Sequence, residues 1–363
     1  MKKTLLATAI AASIAAPAVV SAAGPTIYGQ AHYSVEYLKN DNESSIGVSS
    51  NTSRLGFKGA FDLGEGLQAI YLMEWGVGLD GKDDGVWKQR NRYGGFKSDT
   101  WGTIVFGRHD TPVKVIGRKV DLFWSTQLGQ NRSVTNLKDG GAGYDLRADN
   151  IIGYISPSFG PVHIFAVYVT DSGIEEDPNF PITDNNDFDA YSIAAIYDQK
   201  NLFGADDNLF LAVGYEQHNI NQAAVAGATE DSETALRVTG KYGFGNWKVV
   251  GLYQMADDSG FASGNDRDVF GGGLSYKMGA NTLKGAIYVA DDLGDTNDSG
   301  GLLYSVGVDH AMSKNVQVYA QFAALDNDDN ATLKLGGSGH GDSVAGVAGE
   351  TSWGVSFGSR IKF

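Results

Sequence analysis

Cysteine is missing from all 363 residues, which excludes a disulfide framework and any thiolate-held metal. Basic charge is in short supply: 28 Lys and Arg face 43 Asp and Glu, for a formal net charge of -15. A nucleic-acid partner is excluded on those electrostatic grounds. Beyond the first two dozen residues no apolar run approaches the ~20 residues a membrane-crossing helix needs. The 6 histidines, at 32, 109, 163, 218, 310 and 340, show no ligand spacing, so a two-histidine metal site is not expected. Proline is scarce, at 7. What is present is glycine, at 49, with 17 tyrosines, 17 phenylalanines and a mean hydropathy of -0.20. That composition fits an all-β chain.

The beginning reads as an export signal. "MKK" supplies the basic start, "TLLATAIAASIAAPAVV" the apolar stretch and "SAA" the small residues of a cleavage site. Residues 1–22 are therefore a signal peptide, cut after Ala22 or Ala23, and 23–363 a single domain.

That domain repeats one motif. "TIYGQAHYSVEYL" sets Ile27, Ala31, Tyr33, Val35 and Tyr37 against Gln30, His32, Ser34 and Glu36. "SRLGFKGAFD", "TALRVTGKY", "NWKVVGLYQM" and "NVQVYAQFA" do the same, with charged residues in mid-strand. The closing "ETSWGVSFGSRIKF" alternates until its final Phe363. Side chains of a strand alternate between faces, so each is a strand with one apolar and one polar side. Connectors alternate as well. Short turns such as "LGEGL", "SDTWG", "SFGP", "GFGN", "MGAN" and "MSKN" are separated by long polar links, among them "KNDNESSIGVSSN" and "TDSGIEEDPNFPITDNND".

Short turns on one rim and long loops on the other, over an even count of about sixteen strands, describe a transmembrane antiparallel β-barrel. In hydrocarbon an open sheet edge leaves backbone groups unpaired, so the sheet must close. The last strand then pairs with the first, which explains a chain that ends mid-pattern. At about sixteen strands side chains no longer fill the interior, and the charged face meets water. Tyr37, Trp75, Tyr168, Tyr215 and Trp353 are expected at the lipid–water girdles.

One connector breaks the pattern. Residues 110–149 show no period-two alternation, yet carry Val113, Val115, Ile116, Leu122, Phe123 and Trp124. Long links of this kind are usually functional, and apolar anchors with mixed charges predict a loop folded inward against the barrel wall.

"TIYGQ", "SRLGFKG", "FGRHDTP" at 106–112, "LRADNIIGYISPSFG" and the terminal "GSRIKF" resemble, in order and spacing, the Gram-negative general (diffusion) porins. The resemblance spans the mature chain and implies a homotrimer of sixteen-stranded outer-membrane barrels. It implies that 110–149 is the third external loop, and that Phe363 is the mark read by the barrel-assembly machinery. It further implies a charged eyelet, with Arg54, Arg147 and the pair Arg90 and Arg92 on the basic side. Asp121, Asp110 and Asp145 are the acidic candidates, although the acidic cluster with adjacent glycines of the enterobacterial loops is lacking.

The function so expected is passive diffusion of ions and small hydrophilic solutes, without catalysis. Within 110–149 six basic residues nearly balance five acidic ones, and the acidic external loops tilt the expectation slightly towards cations. An adhesive or structural barrel, or a barrel enzyme, is the alternative. No cofactor is expected. Divalent cations loosely held at acidic loops such as "DNDDN" (326–330), and bridged to lipopolysaccharide, are the one ligand class considered. "GGSGHG" (336–341) lacks the strand-to-helix context of a phosphate loop.

Overall fold

The computed structural model describes residues 24–81, 87–136, 143–170, 189–200, 208–220, 228–336 and 343–363. The expected signal peptide, residues 1–22, and most of "TDSGIEEDPNFPITDNND" and "GGSGHG" lie outside those residues.

Among the described residues, seventeen strand segments form one antiparallel sheet, β1 to β17, running from β1 (Thr26–Lys39) to β17 (Thr351–Lys362). β2 (Ser44–Ser50) pairs with the second half of β1, while β3 (Arg54–Gly64) pairs with its first half. The two are halves of a single stave, broken where Thr52 takes φ 55°. Sixteen staves result. β1 also pairs with β17, from Gln30 opposite Lys362 to Lys39 opposite Trp353, and that pairing closes the barrel. At the seam the Phe363 N–H donates to the Gly29 carbonyl at 3.1 Å, and the Gly29 N–H donates back at 3.0 Å. The Phe363 ring covers Gly29, where a Cβ would fall 2.5 Å from it.

The order of connectors follows the sequence pattern. β5 (Lys88–Ser98) and β6 (Gly102–Asp110), β11 (Ser232–Phe244) and β12 (Trp247–Asp257), and β13 (Arg267–Met278) and β14 (Asn281–Ala290) are joined by two or three residues. β6 and β7 (Arg147–Ile155) are separated by a long connection, as are β16 (Val316–Asn327) and β17.

Burial is inverted relative to a water-soluble sheet. On β1, Tyr33 and Val35 are exposed, whereas His32, Ser34 and Glu36 are buried. On β11, Val238 is exposed while Arg237 and Thr239 are buried. The outer face carries a continuous apolar band, from Ile193 and Leu211 through Val249 and Phe270 to Ile287, Val306 and Phe357. So large an exposed apolar surface is untenable in water and natural in lipid. Aromatic pairs mark its upper edge: Tyr37 with Trp353, Trp75 with Trp87, and Tyr191 with Tyr215, at centroid separations of 5.6, 6.1 and 6.2 Å.

Candidate functional site: a basic opening between wall and loop

The connection after β6 does not stay irregular. It folds into α1 (Pro112–Lys119), then a series of turns, then the short α2 (Arg132–Thr135). Thr111 is extended at the helix N-cap and Pro112 takes the first helical place, where its missing N–H costs nothing. Arg118 and Lys119 fill the last turn, the end at which cations oppose the helix dipole.

Val113 and Ile116, three apart on one face of α1, are fully buried against the wall. Gly214 of β10 (Asn208–Asn219) permits the approach, since a Cβ there would fall 2.8 Å from Ile116 Cδ1. Further along, Val120, Phe123, Leu128 and Val134 are likewise buried. Each such side chain contributes roughly 1.5–3 kcal/mol to holding the segment down.

Polar side chains of the inner face satisfy the segment's backbone. Ser192 Oγ accepts from Val113 N–H at 3.3 Å. Gln254 Nε2 donates to Thr135 O at 2.9 Å, and Gln321 Nε2 to Leu128 O at 3.3 Å. Lys284 Nζ donates to Leu122 O at 3.2 Å and stands 4.6 Å over the Phe123 ring. Arg360 reaches Trp124 O at 3.4 Å. The tightest tie is Arg237, 1% exposed. It donates to Val113 O at 3.1 Å on α1, to Asp145 Oδ1 at 3.2 Å on the returning limb, and to Gln254 Oε1 at 2.8 Å. One buried guanidinium thus fastens both limbs of the connection.

Between this segment and the wall of β3, β4 (Leu67–Gly76), β5, β6 and β7 lies a cavity of ≈ 500 Å³. The wall supplies Arg54, Glu74, Arg90, Asp110 and Arg147; the segment supplies Lys114, Arg118, Lys119 and Arg132, with Trp124, Ser125 and Gln130. Seven cations therefore share the lining with two carboxylates. Glu74 pairs with Arg54 at 3.2 Å and with Arg90, and accepts from Tyr28 OH at 3.0 Å. Asp110 is shared by Lys114 at 3.2 Å, Arg118 at 2.8 Å and Arg147 at 2.8 Å. Each carboxylate serves more than one cation, so an excess of positive charge remains. Burial pulls the Lys114 ammonium down to about 7, against the attraction of Asp110, with Arg147 and Arg132 adding to the depression.

Of the residues expected from the sequence, Arg54, Arg90, Arg147 and Asp110 meet at this cavity. Arg90 and Arg92, two apart, would share a face of an unbroken strand. The β4–β5 register shifts between Met73 and Trp75. Arg92 consequently lies beside the outward-facing Met73 and hydrogen-bonds Gln89, while Arg90 turns to Glu74. Asp121 is buried and accepts from Phe123 N–H at 2.8 Å and Asn131 N–H at 3.0 Å. Burial pushes its carboxyl up to about 7, opposed by those two backbone donors. Asp145 is taken by Arg237. Glu74, Lys114, Arg118, Lys119 and Arg132 complete the lining, and were not singled out from sequence. The Thr-Pro start and Arg-Lys finish of α1 are the signals from which an ordered, basic helix could have been read there.

A closed antiparallel barrel with an apolar exterior, a polar interior and long loops on one rim is the architecture of an outer-membrane β-barrel protein. The family profile for Gram-negative porins matches residues 7–330, and the chain belongs to that family. Relatives include the outer membrane porin protein 32 of Delftia acidovorans, 29% identical with 100% of both chains covered. Another is an outer membrane porin protein of Bordetella pertussis, 25% identical over 93% of this chain and 99% of that one. Among solved structures, an anion-selective porin from Comamonas acidovorans matches with a TM-score of 0.78 at 24% identity, covering 94% of this chain and 99% of that one. OmpT of Vibrio cholerae in trimer form gives 0.65 at 20% identity, with 94% and 99% covered. These structures establish the shared fold. The chain is an outer-membrane porin, and nothing in its relatives points to catalysis.

Proposed function

We propose that this porin forms a water-filled channel for passive diffusion of small hydrophilic solutes, narrowed by the segment 111–136 to a basic eyelet that favours anions. The observation that carries the reading is the lining of seven cations and two carboxylates. A narrow aqueous passage between low-dielectric walls focuses such charge onto whatever enters. The acidic external loops, which tilted the sequence reading towards cations, act at longer range and through salt that screens beyond about 10 Å. The lining charges act at contact distance. The matched Comamonas acidovorans structure, described as anion-selective, supports the same sign.

The working unit is a homotrimer, a reading supported by the trimer form of the Vibrio cholerae neighbour. Phe363 serves the barrel-assembly machinery, and divalent cations at the acidic external loops bridge to lipopolysaccharide.

Purified protein added to a planar bilayer is expected to produce stepwise, ohmic current increments that change in size with Arg147→Gln. Membranes that stay silent, with correctly folded protein present, refute the channel.

A further inference from the structure

The inner wall of a water-filled barrel should be polar where it meets water, and most apolar side chains on it, such as Val250, Leu252 and Leu303, are buried; one apolar patch borders open space instead. Towards the short-turn rim, Ile155, Phe165, Ile196 and Phe210 stand on the inner face, on the same side as His163 and Asp198. Phe165, Ile196 and Phe210 are 4%, 6% and 1% exposed. Val115 and Ile116 of α1 lie across from them. Part of this apolar surface anchors the helix, but the helix does not fill the space: a cavity of ≈ 220 Å³ remains.

Its edge is charged. Arg118 and Lys119 end α1 at the mouth, and Lys119 has no ion pair among the described residues. Lys241 stands 5.2 Å over the Phe210 ring, and the His109 ring meets Phe165 edge-on at 5.5 Å. Asp198 is the single carboxylate of the lining.

We infer that this cavity is a solute subsite for small aromatic monocarboxylates. The ring lies against Phe165, Phe210 and Ile196, and the carboxylate faces Arg118 and Lys119. Three features argue for that class. An apolar floor is surplus in a wet lumen unless something apolar rests on it. The mouth is predominantly cationic, so an anionic head is favoured over a cationic one. The volume lies below that of pockets for drug-sized ligands and suits a single ring. The site opens beside Arg118 and Lys119, which also line the basic eyelet. A solute that has passed the eyelet therefore pauses here without leaving the channel. A passage site must bind weakly enough to release its solute, so a low affinity is expected.

The inference rests on the anion-preferring channel, and one experiment separates the two. Chloride current through the reconstituted protein is titrated with benzoate, with acetate and benzylammonium as controls. Benzoate is expected to reduce the current saturably, at concentrations where acetate and benzylammonium do not. Lys119→Gln, at an exposed position, should raise the half-blocking benzoate concentration about three- to tenfold. Phe210→Leu, which keeps the floor apolar but removes a ring, should also raise it. Equal effects of benzoate and acetate overturn the subsite, as does a benzoate block unchanged in both variants. An anion-selective channel without benzoate block overturns the subsite alone. A cation-selective channel overturns the reading beneath it and the subsite together.

Discussion

Arg237→Met offers the sharpest perturbation of the segment proposed to narrow the channel. Methionine keeps most of the side-chain volume but removes every donor. Asp145 Oδ1 and the Val113 carbonyl then lose their hydrogen bonds at 3.2 and 3.1 Å, and Asp145 is left at 7% exposure without its partner. Removing one member of a buried ion pair costs about 3–5 kcal/mol. Arg237 belongs to β11 and its partners to the segment, so the loss falls on docking of the segment more than on the wall. At 1.4 kcal/mol per decade, the docked population falls relative to undocked by about two to three and a half decades.

Single-channel recording reads this directly. The variant should show larger mean conductance and stronger open-channel fluctuation than the parent. Arg237→Met combined with Asp145→Asn should recover part of the loss, because no buried charge is then stranded. Parental conductance and noise in Arg237→Met, in a protein that still forms a barrel, refute the claim that this residue fastens the segment.

Further outcomes follow from the lining. Between pH 6 and 8 Lys114, brought down to about 7, loses its positive charge, while Asp121, raised to about 7, gains a negative one. The first removes a charge from the lining itself and the second adds an opposing charge behind it, at a buried turn outside the lining, so anion preference should fall as pH rises; a reversal potential that is flat over that range counts against it. Glu74→Gln removes one of only two lining carboxylates and should increase chloride preference, whereas Arg147→Gln should decrease it, both read as reversal potentials. Gly214→Ala places a Cβ 2.8 Å from Ile116 Cδ1 and 3.2 Å from Val113 Cγ2. It should loosen α1 at a cost of about 1–3 kcal/mol, seen as faster proteolysis of the 111–136 segment while the barrel stays intact.

The barrel was legible because its cause is local. A strand between lipid and water must alternate, and "TIYGQAHYSVEYL" or "SRLGFKGAFD" displays that without reference to any other part of the chain. The terminal strand showed closure in the same way, and its pairing with β1 is the closure expected. α1 went unread because "PVKVIGRK" is short and mixes charged with apolar residues. The Thr111-Pro112 entry and Arg118-Lys119 exit were visible in the sequence, but their weight depends on the wall that Val113 and Ile116 meet.

The lining of the cavity was half legible for a related reason. Arg54 and Arg147 sit in recognisable strand contexts, but the split between Arg90 and Arg92 comes from a register shift set by β4. Counting acids in 110–149 treats Asp110, Asp121 and Asp145 alike. One lines the opening, one caps a buried turn, and one is consumed by an arginine far along the chain. Pairing over such distances leaves no trace in composition, so the near balance of charge in the segment hid a lining that is strongly basic.

The zero-current potential across a planar bilayer holding the wild-type protein, with a tenfold gradient of potassium chloride, tests the central claim most directly. The proposed surplus of cations along the passage predicts a potential whose sign reports chloride as the more permeant ion. A potential of the opposite sign, with potassium favoured, contradicts it.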